Sequence, residues 1–146
     1  MVILSKFAEN LFSLMQEHNL NAPALGKILN THRTNITRYL QEKRLPSFGL
    51  FVDIVEYFNV SADVLLGRLD YCETQEFQSV KPFGDMFRKV LEETKTTQSQ
   101  LQQNLHFSSS TTYAWLINKS IPSMEHIIQL ADYLDVRVDY LLGRIS

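Results

Sequence analysis

The chain has 146 residues and 45% apolar content, which suits one or two folded domains and excludes a disordered tail. Its net charge of −2 excludes a protein that is basic throughout, so any affinity for polyanions must sit in one region. No apolar run reaches membrane-spanning length, Met1-Val2-Ile3-Leu4 is too short for a secretory signal, and the single Cys72 forms no internal disulfide, as expected of a cytoplasmic protein.

Five Gly and four Pro are too few for a loop-rich β fold, and the apolar spacing predicts an all-α chain. Ser5 is the expected cap of a first helix with Phe7, Leu11, Leu14 and Met15 on one stripe. His18-Asn19-Leu20 ends it. Asn21 caps a second helix, with Pro23 in its first turn and Leu25, Ile28 and Leu29 as the buried side. Asn30-Thr31 turns into a third helix, within Thr31 to Pro46, whose Ile36, Tyr39 and Leu40 face a core. Ser47 caps a fourth helix, with Phe51, Ile54, Val55 and Phe58 inside. Asn59-Val60 turns, and Ser61 caps a short fifth helix that ends at a left-handed Gly67. Asp63 reads as a first-turn carboxylate favoured by the helix dipole.

Residues 69–81 read as a linker, part helical, in which Tyr71 and Phe77 pack against either side and Pro82 starts the next helix. A shift of 76 then superposes the sequence on itself without a gap. Phe7 falls on Phe83, Leu25 on Leu101, Leu29 on Leu105, Pro46-Ser47 on Pro122-Ser123, and Leu65-Leu66-Gly67-Arg68 on Leu141-Leu142-Gly143-Arg144. Asp139 repeats Asp63. The matches are mostly apolar or turn residues, as packing would keep them in two copies of one fold.

The third helix has a second face, carrying Arg33, Thr34, Thr37 and Arg38. Arg offers paired donors to guanine, and Thr and Asn both donate and accept at base edges, so a DNA major groove is its natural partner. A plain solvated helix face is the bland alternative. The surroundings weigh against it: from His18 to Val52 the chain holds Lys27, Arg33, Arg38, Lys43 and Arg44 against one acid, Glu42.

Helix, short helix, tight turn, exposed helix, Pro-Ser and two more helices is a helix-turn-helix layout. The ordered residues Leu20-Asn21…Leu25…Leu29, Ile36-Thr37-Arg38-Tyr39, Lys43…Pro46-Ser47 and Tyr57 to Gly67 resemble the lambda-repressor-like, or Cro/XRE-type, family of bacterial and phage DNA-binding domains. Gln98…Leu101…Leu105, Trp115, Lys119…Pro122-Ser123 and Leu134 to Gly143 resemble it a second time. The resemblance implies two tandem five-helix domains, 1–68 and 82–146, joined by the linker 69–81. It implies base reading by Arg33, Thr34 and Arg38, with His32 and Asn35 beside them; Thr37, on the same face, is a further candidate. It implies phosphate contacts at Asn21, Ala22, Lys43 and Arg44, where cations release counterions, and Lys27 of the same positive patch is expected to join them.

Two features depart from the family. An Arg–Glu pair between its first and third helices is replaced by Met15 and Leu40, and again by Leu91 and Leu116, which reads as a repacked apolar core. The Gly that follows the third helix is replaced by Glu42 and Asn118; Asn tolerates a left-handed backbone better than Glu.

The second copy has Gln98, Ser109, Ser110, Thr111 and Lys119 at the matching DNA positions, with Ser108 as cap and Ala114 in place of Arg38. From Thr94 to Ile128 its only charges are Lys95, Lys119 and Glu125, which predicts weaker DNA binding. Contact with DNA and simple solvation of the helix both remain open there, and Tyr113 suits a protein contact equally well. His18, His32, His106 and His126 share no metal-ligand spacing, so neither a metal nor a cofactor is expected. Trp115 and Tyr39 read as core, and no nucleophile–base pair suggests an enzyme.

The expectation is therefore a regulator, of the repressor type, that binds double-stranded DNA. The rival is a protein-interaction module on the same fold, such as an antitoxin or dimerisation protein. The unequal charges of the copies favour a homodimer whose first copies read a palindrome. The second copy, or the last helices around Val64-Leu65 and Tyr140-Leu141, would supply the contact between chains.

Overall fold

A computed structural model describes residues 2–74 and 76–146. Met1 of the apolar opening tetrapeptide and Gln75 of the expected linker lie outside the described residues. Every regular element among the described residues is a helix, as the apolar spacing predicts. The chain divides into two compact units, Met1–Phe77 and Gln78–Ser146.

The first unit holds α1 (Val2–Glu17), α2 (Ala22–Ile28), α3 (Arg33–Leu40), α4 (Phe48–Phe58) and α5 (Ala62–Leu65). The helix α1 starts at Val2, not after a cap at Ser5. Half-buried Leu4 continues the stripe of Ala8, Leu11 and Met15, so packing extends the helix through Ser5. Asn21 caps α2 through its Oδ1, which accepts from the Ala24 N–H at 2.9 Å, and Ser47 and Ser61 cap α4 and α5 likewise. The core is built on fully buried Phe7, Leu11, Leu25, Ile36, Phe51 and Ile54. Phe7 meets the edge of Tyr39 at 6.2 Å and Phe51 at 6.2 Å, which locks α1 against α3 and α4. Three expected core residues sit further out: Leu14 and Leu40 are half-buried, and Ile28 is 43% exposed. Met15, opposite Leu40 in the expected apolar pair, is buried.

The second unit holds α6 (Phe83–Thr94), α7 (Gln98–Leu105), α8 (Ser109–Leu116), α9 (Met124–Leu134) and α10 (Val138–Leu141). Its last three helices start and stop 76 residues after α3, α4 and α5, to the residue. The left-handed residues repeat at the same shift: Asn19 and Lys95, Asn30 and His106, Glu42 and Asn118, Asn59 and Asp135, Gly67 and Gly143. Asn118 has a second task. Its Oδ1 accepts from the Gly84 N–H at 2.7 Å, and its Nδ2 donates to Asp85, which ties the turn after α8 to the start of α6. A Cβ on Gly84 would lie 2.5 Å from the Trp115 carbonyl oxygen, so only Gly allows this approach.

Glu42 carries the same backbone, φ +60°, with no such bond. Glu42→Gly should therefore stabilise the first unit by about 0.5–1 kcal/mol, because Gly adopts this conformation without strain. Urea unfolding measures it, and an unchanged midpoint would show that the strain is absorbed elsewhere. Asn118→Gly should destabilise, since it removes the two bonds.

No helix forms between residues 69 and 81 among those described. The last part of that stretch lies along the second unit's end: the Gln78 N–H donates to the Arg144 carbonyl at 2.8 Å and the Lys81 N–H to that of Leu142 at 3.0 Å. Phe77 instead lines a cleft of the first unit with Val60, Val64 and Cys72, and Tyr71 is 72% exposed.

Asp63 and Asp139 lie in the first turns of α5 and α10, as expected, and each also has a partner. Both are fully buried, and each meets an Arg five residues on: Asp63 with Arg68, and Asp139 with Arg144 at 2.6 Å. The left-handed Gly67 and Gly143 turn the chain back, so that the N–H of each Arg also donates to its Asp carbonyl at 2.8 Å. Leu65 and Leu141 are likewise buried in their own units, so they are not available for the contact between chains expected of them.

Candidate nucleic-acid interface

In the first unit α2 and α3 meet at Gly26, where a Cβ would stand 2.8 Å from the Thr31 carbonyl oxygen. Asn30 takes the left-handed turn, and the Thr31 N–H returns to the Gly26 carbonyl at 2.8 Å. This sets the start of α3. His32 occupies the cap, its Nδ1 accepting from the Thr34 N–H at 3.1 Å, so that ring atom serves the helix.

Buried Ile36 and Tyr39 anchor one side of α3. Arg33, Thr34 and Arg38 are exposed on the other, with Thr37 half-buried between them. Among the described residues Arg33, Arg38, Lys27 and Lys43 form neither a hydrogen bond nor an ion pair through their side chains, so these four exposed charges are uncompensated. The Lys43 N–H donates to the Arg38 carbonyl at 2.9 Å, which starts the following loop beside the end of α3.

Several neighbours have other work. The Thr37 hydroxyl donates to the Arg33 carbonyl at 3.1 Å, within the helix. The Asn35 Nδ2 donates to the Thr31 hydroxyl at 2.9 Å, and its Oδ1 accepts from Arg44 Nη2 at 2.6 Å. Both ends of that amide carry a bond, and its oxygen holds Arg44 in place. Tyr39 lies beneath: burial raises its phenol above the ordinary value, and the Arg44 charge opposes the shift. Asn21 is exposed, with its Oδ1 spent on the α2 cap.

The second unit builds the same corner with other chemistry. Ser108 caps α8, its Oγ accepting from the Thr111 N–H at 3.2 Å. Thr112, only 1% exposed, donates to Gln98 Oε1 at 2.9 Å and ties α7 to α8, so that acceptor of Gln98 is also engaged. Ser109, Ser110 and Lys119 are exposed, and Thr111 is half-buried. Tyr113 is 57% exposed where the first unit has Thr37. Thr112 is absent from the sequence reading, and so is the Thr97–Gln100 capping box of α7, although its Thr-x-x-Gln spacing is visible. Among the described residues no group of three or more His, Cys, Asp or Glu could hold a metal ion, and no helix is long and apolar enough to cross a membrane.

A helix-turn-helix family model matches residues 87–141. The match runs from within α6 to the end of α10 and falls on the second unit. Comparison with curated proteins and comparison with solved structures each gave no match.

Proposed function

We propose that the chain is a sequence-specific DNA-binding regulator, of the repressor type, built from two helix-turn-helix units. In this reading α3 of the first unit enters the major groove. Arg33, Thr34 and Arg38 read bases there, with His32 and Thr37 at the edge of the contact. Lys27, Lys43, the Asn35-held Arg44 and Asn21 meet phosphates. The observation that carries the proposal is the shared backbone. The family match covers α7 and α8, and the first unit repeats their turns and the bounds of α8 at a shift of 76, with uncompensated cations on the exposed helix. Lacking such cations, the second unit contributes little phosphate contact of its own, and two chains would read a palindrome through their first units.

Selection of binding sites from random duplex DNA tests this with the full chain. The expected product is a two-fold sequence whose binding weakens steeply with salt. Recovery of no enriched sequence would favour the rival protein-interaction module.

A further inference from the structure

We infer that the first unit carries a binding site for a small zwitterion of the amino-acid class, in the cleft bounded by α3, the loop after it and α4. The cleft measures about 500 Å³, within the range of small-molecule sites. Tyr39 from α3, Arg44 from the loop and Asp53 from α4 line it, beside apolar Leu45 and Leu50. Tyr39 is only 3% exposed. Its phenol oxygen forms no hydrogen bond with any described residue, and the oxygen is not sealed within the core, so it opens onto the cleft. A hydroxyl so placed takes its partner from outside the chain. Water would satisfy it; the charges beside it select something more specific.

The fold itself does not require this space. In the second unit the residues matching Thr31, Tyr39 and Leu50 are Phe107, Trp115 and His126. Their rings pack on one another, with centroids 5.0 Å apart for Phe107 and Trp115 and 5.0 Å apart for Phe107 and His126. Arg44 and Asp53 are matched there by neutral Ser120 and Gln129. One backbone thus fills the place with rings in one copy, and lines it with a cation, an anion and a hydroxyl in the other.

Charge selects the class of ligand. Arg44 and Asp53 are the charged residues of the lining, and among the described residues neither forms an ion pair. Arg44 is held in place, since its Nη2 donates to Asn35 Oδ1 and Asn35 is in turn bonded to Thr31. Its other N–H groups remain for a carboxylate. The Arg44 charge acts on the Tyr39 phenol, which puts these two donors at the same part of the cleft. The Asp53 carboxylate accepts from an ammonium. A simple anion meets attraction at Arg44 but repulsion at Asp53, and a simple cation the reverse; a molecule bearing both charges meets attraction twice. Leu45 and Leu50 then suit an apolar side chain.

The test is a titration of the full chain, free of DNA, followed by amide NMR. The probes are the common L-α-amino acids, added singly to about 10 mM, with acetate and methylammonium as probes of one charge each; this range covers the weak affinities of an open cleft. The inference does not rest on DNA recognition. Arg44 is shared with the proposed phosphate contacts, so DNA is left out, and a failed titration leaves the DNA reading standing. The expected result is that at least one amino acid shifts the Asn30 and Asn35 side-chain amides and saturates, about tenfold more tightly than acetate or methylammonium. Tyr39→Phe and Asp53→Asn should each weaken that binding about tenfold, while Asp53→Glu keeps most of it, with the rest of the spectrum unchanged. No saturable shift from any amino acid overturns the proposal. So does saturation that survives both Tyr39→Phe and Asp53→Asn, which puts the molecule elsewhere. Acetate binding as tightly as the best amino acid also overturns it, leaving only an anion contact at Arg44.

Discussion

Arg144→Ala should destabilise the second unit by about 3–5 kcal/mol, because it leaves the Asp139 carboxylate buried without its Arg. The side chains of Arg144 and Asp139 are 1% and 0% exposed, so the carboxylate lies out of reach of bulk solvent. The same change at Arg68 should cost less, since the Arg68 side chain is 16% exposed and solvent can reach its site. Trp115 is the chain's one tryptophan and is buried in the second unit, so its fluorescence reports unfolding there. The expected result is a large fall in the urea midpoint by Trp115 emission for Arg144→Ala. Replacing both partners with apolar residues, Asp139→Leu with Arg144→Met, should recover much of it, because no charge is then left buried. A midpoint for Arg144→Ala within experimental error of wild type would show that Asp139 finds another partner or is hydrated.

These ion pairs show where sequence reading stops. Caps at Asn21, Ser47, Ser61 and Ser108 are legible because capping joins residues two or three apart. The left-handed Gly67 is legible for the same reason. The Asp63–Arg68 pair spans five residues, yet forms only because that Gly reverses the chain; the repeated Asp-x-x-x-Gly-Arg spacing in both halves was the available signal. Burial depth is harder. Periodicity assigns Ile28 and Leu40 to an apolar face, but how far a neighbouring helix covers that face depends on packing between helices. At the candidate interface the exposed Arg33 and Arg38 follow from helical spacing alone. The Asn35–Arg44 bond does not, because it needs the loop that Glu42 turns.

Arg33→Ala and Arg38→Ala should each cost about 1–3 kcal/mol in binding to the selected DNA site, and should relax base preference at different positions. The two side chains lie on one exposed face with no protein partner among the described residues, so removing them should disturb neither fold nor core. Their loss should therefore appear in binding and not in the urea midpoint. Lys43→Ala should behave differently: affinity falls for all sequences alike, and the slope of log affinity against log salt drops by about one for each phosphate contact removed. Asn35→Ala should resemble Lys43→Ala, because its effect passes through the Arg44 that it holds. Competition titrations of specific against scrambled duplexes at two salt concentrations separate these classes. If the Arg33→Ala, Arg38→Ala double variant keeps the wild-type base preference, α3 of the first unit is not the reading helix.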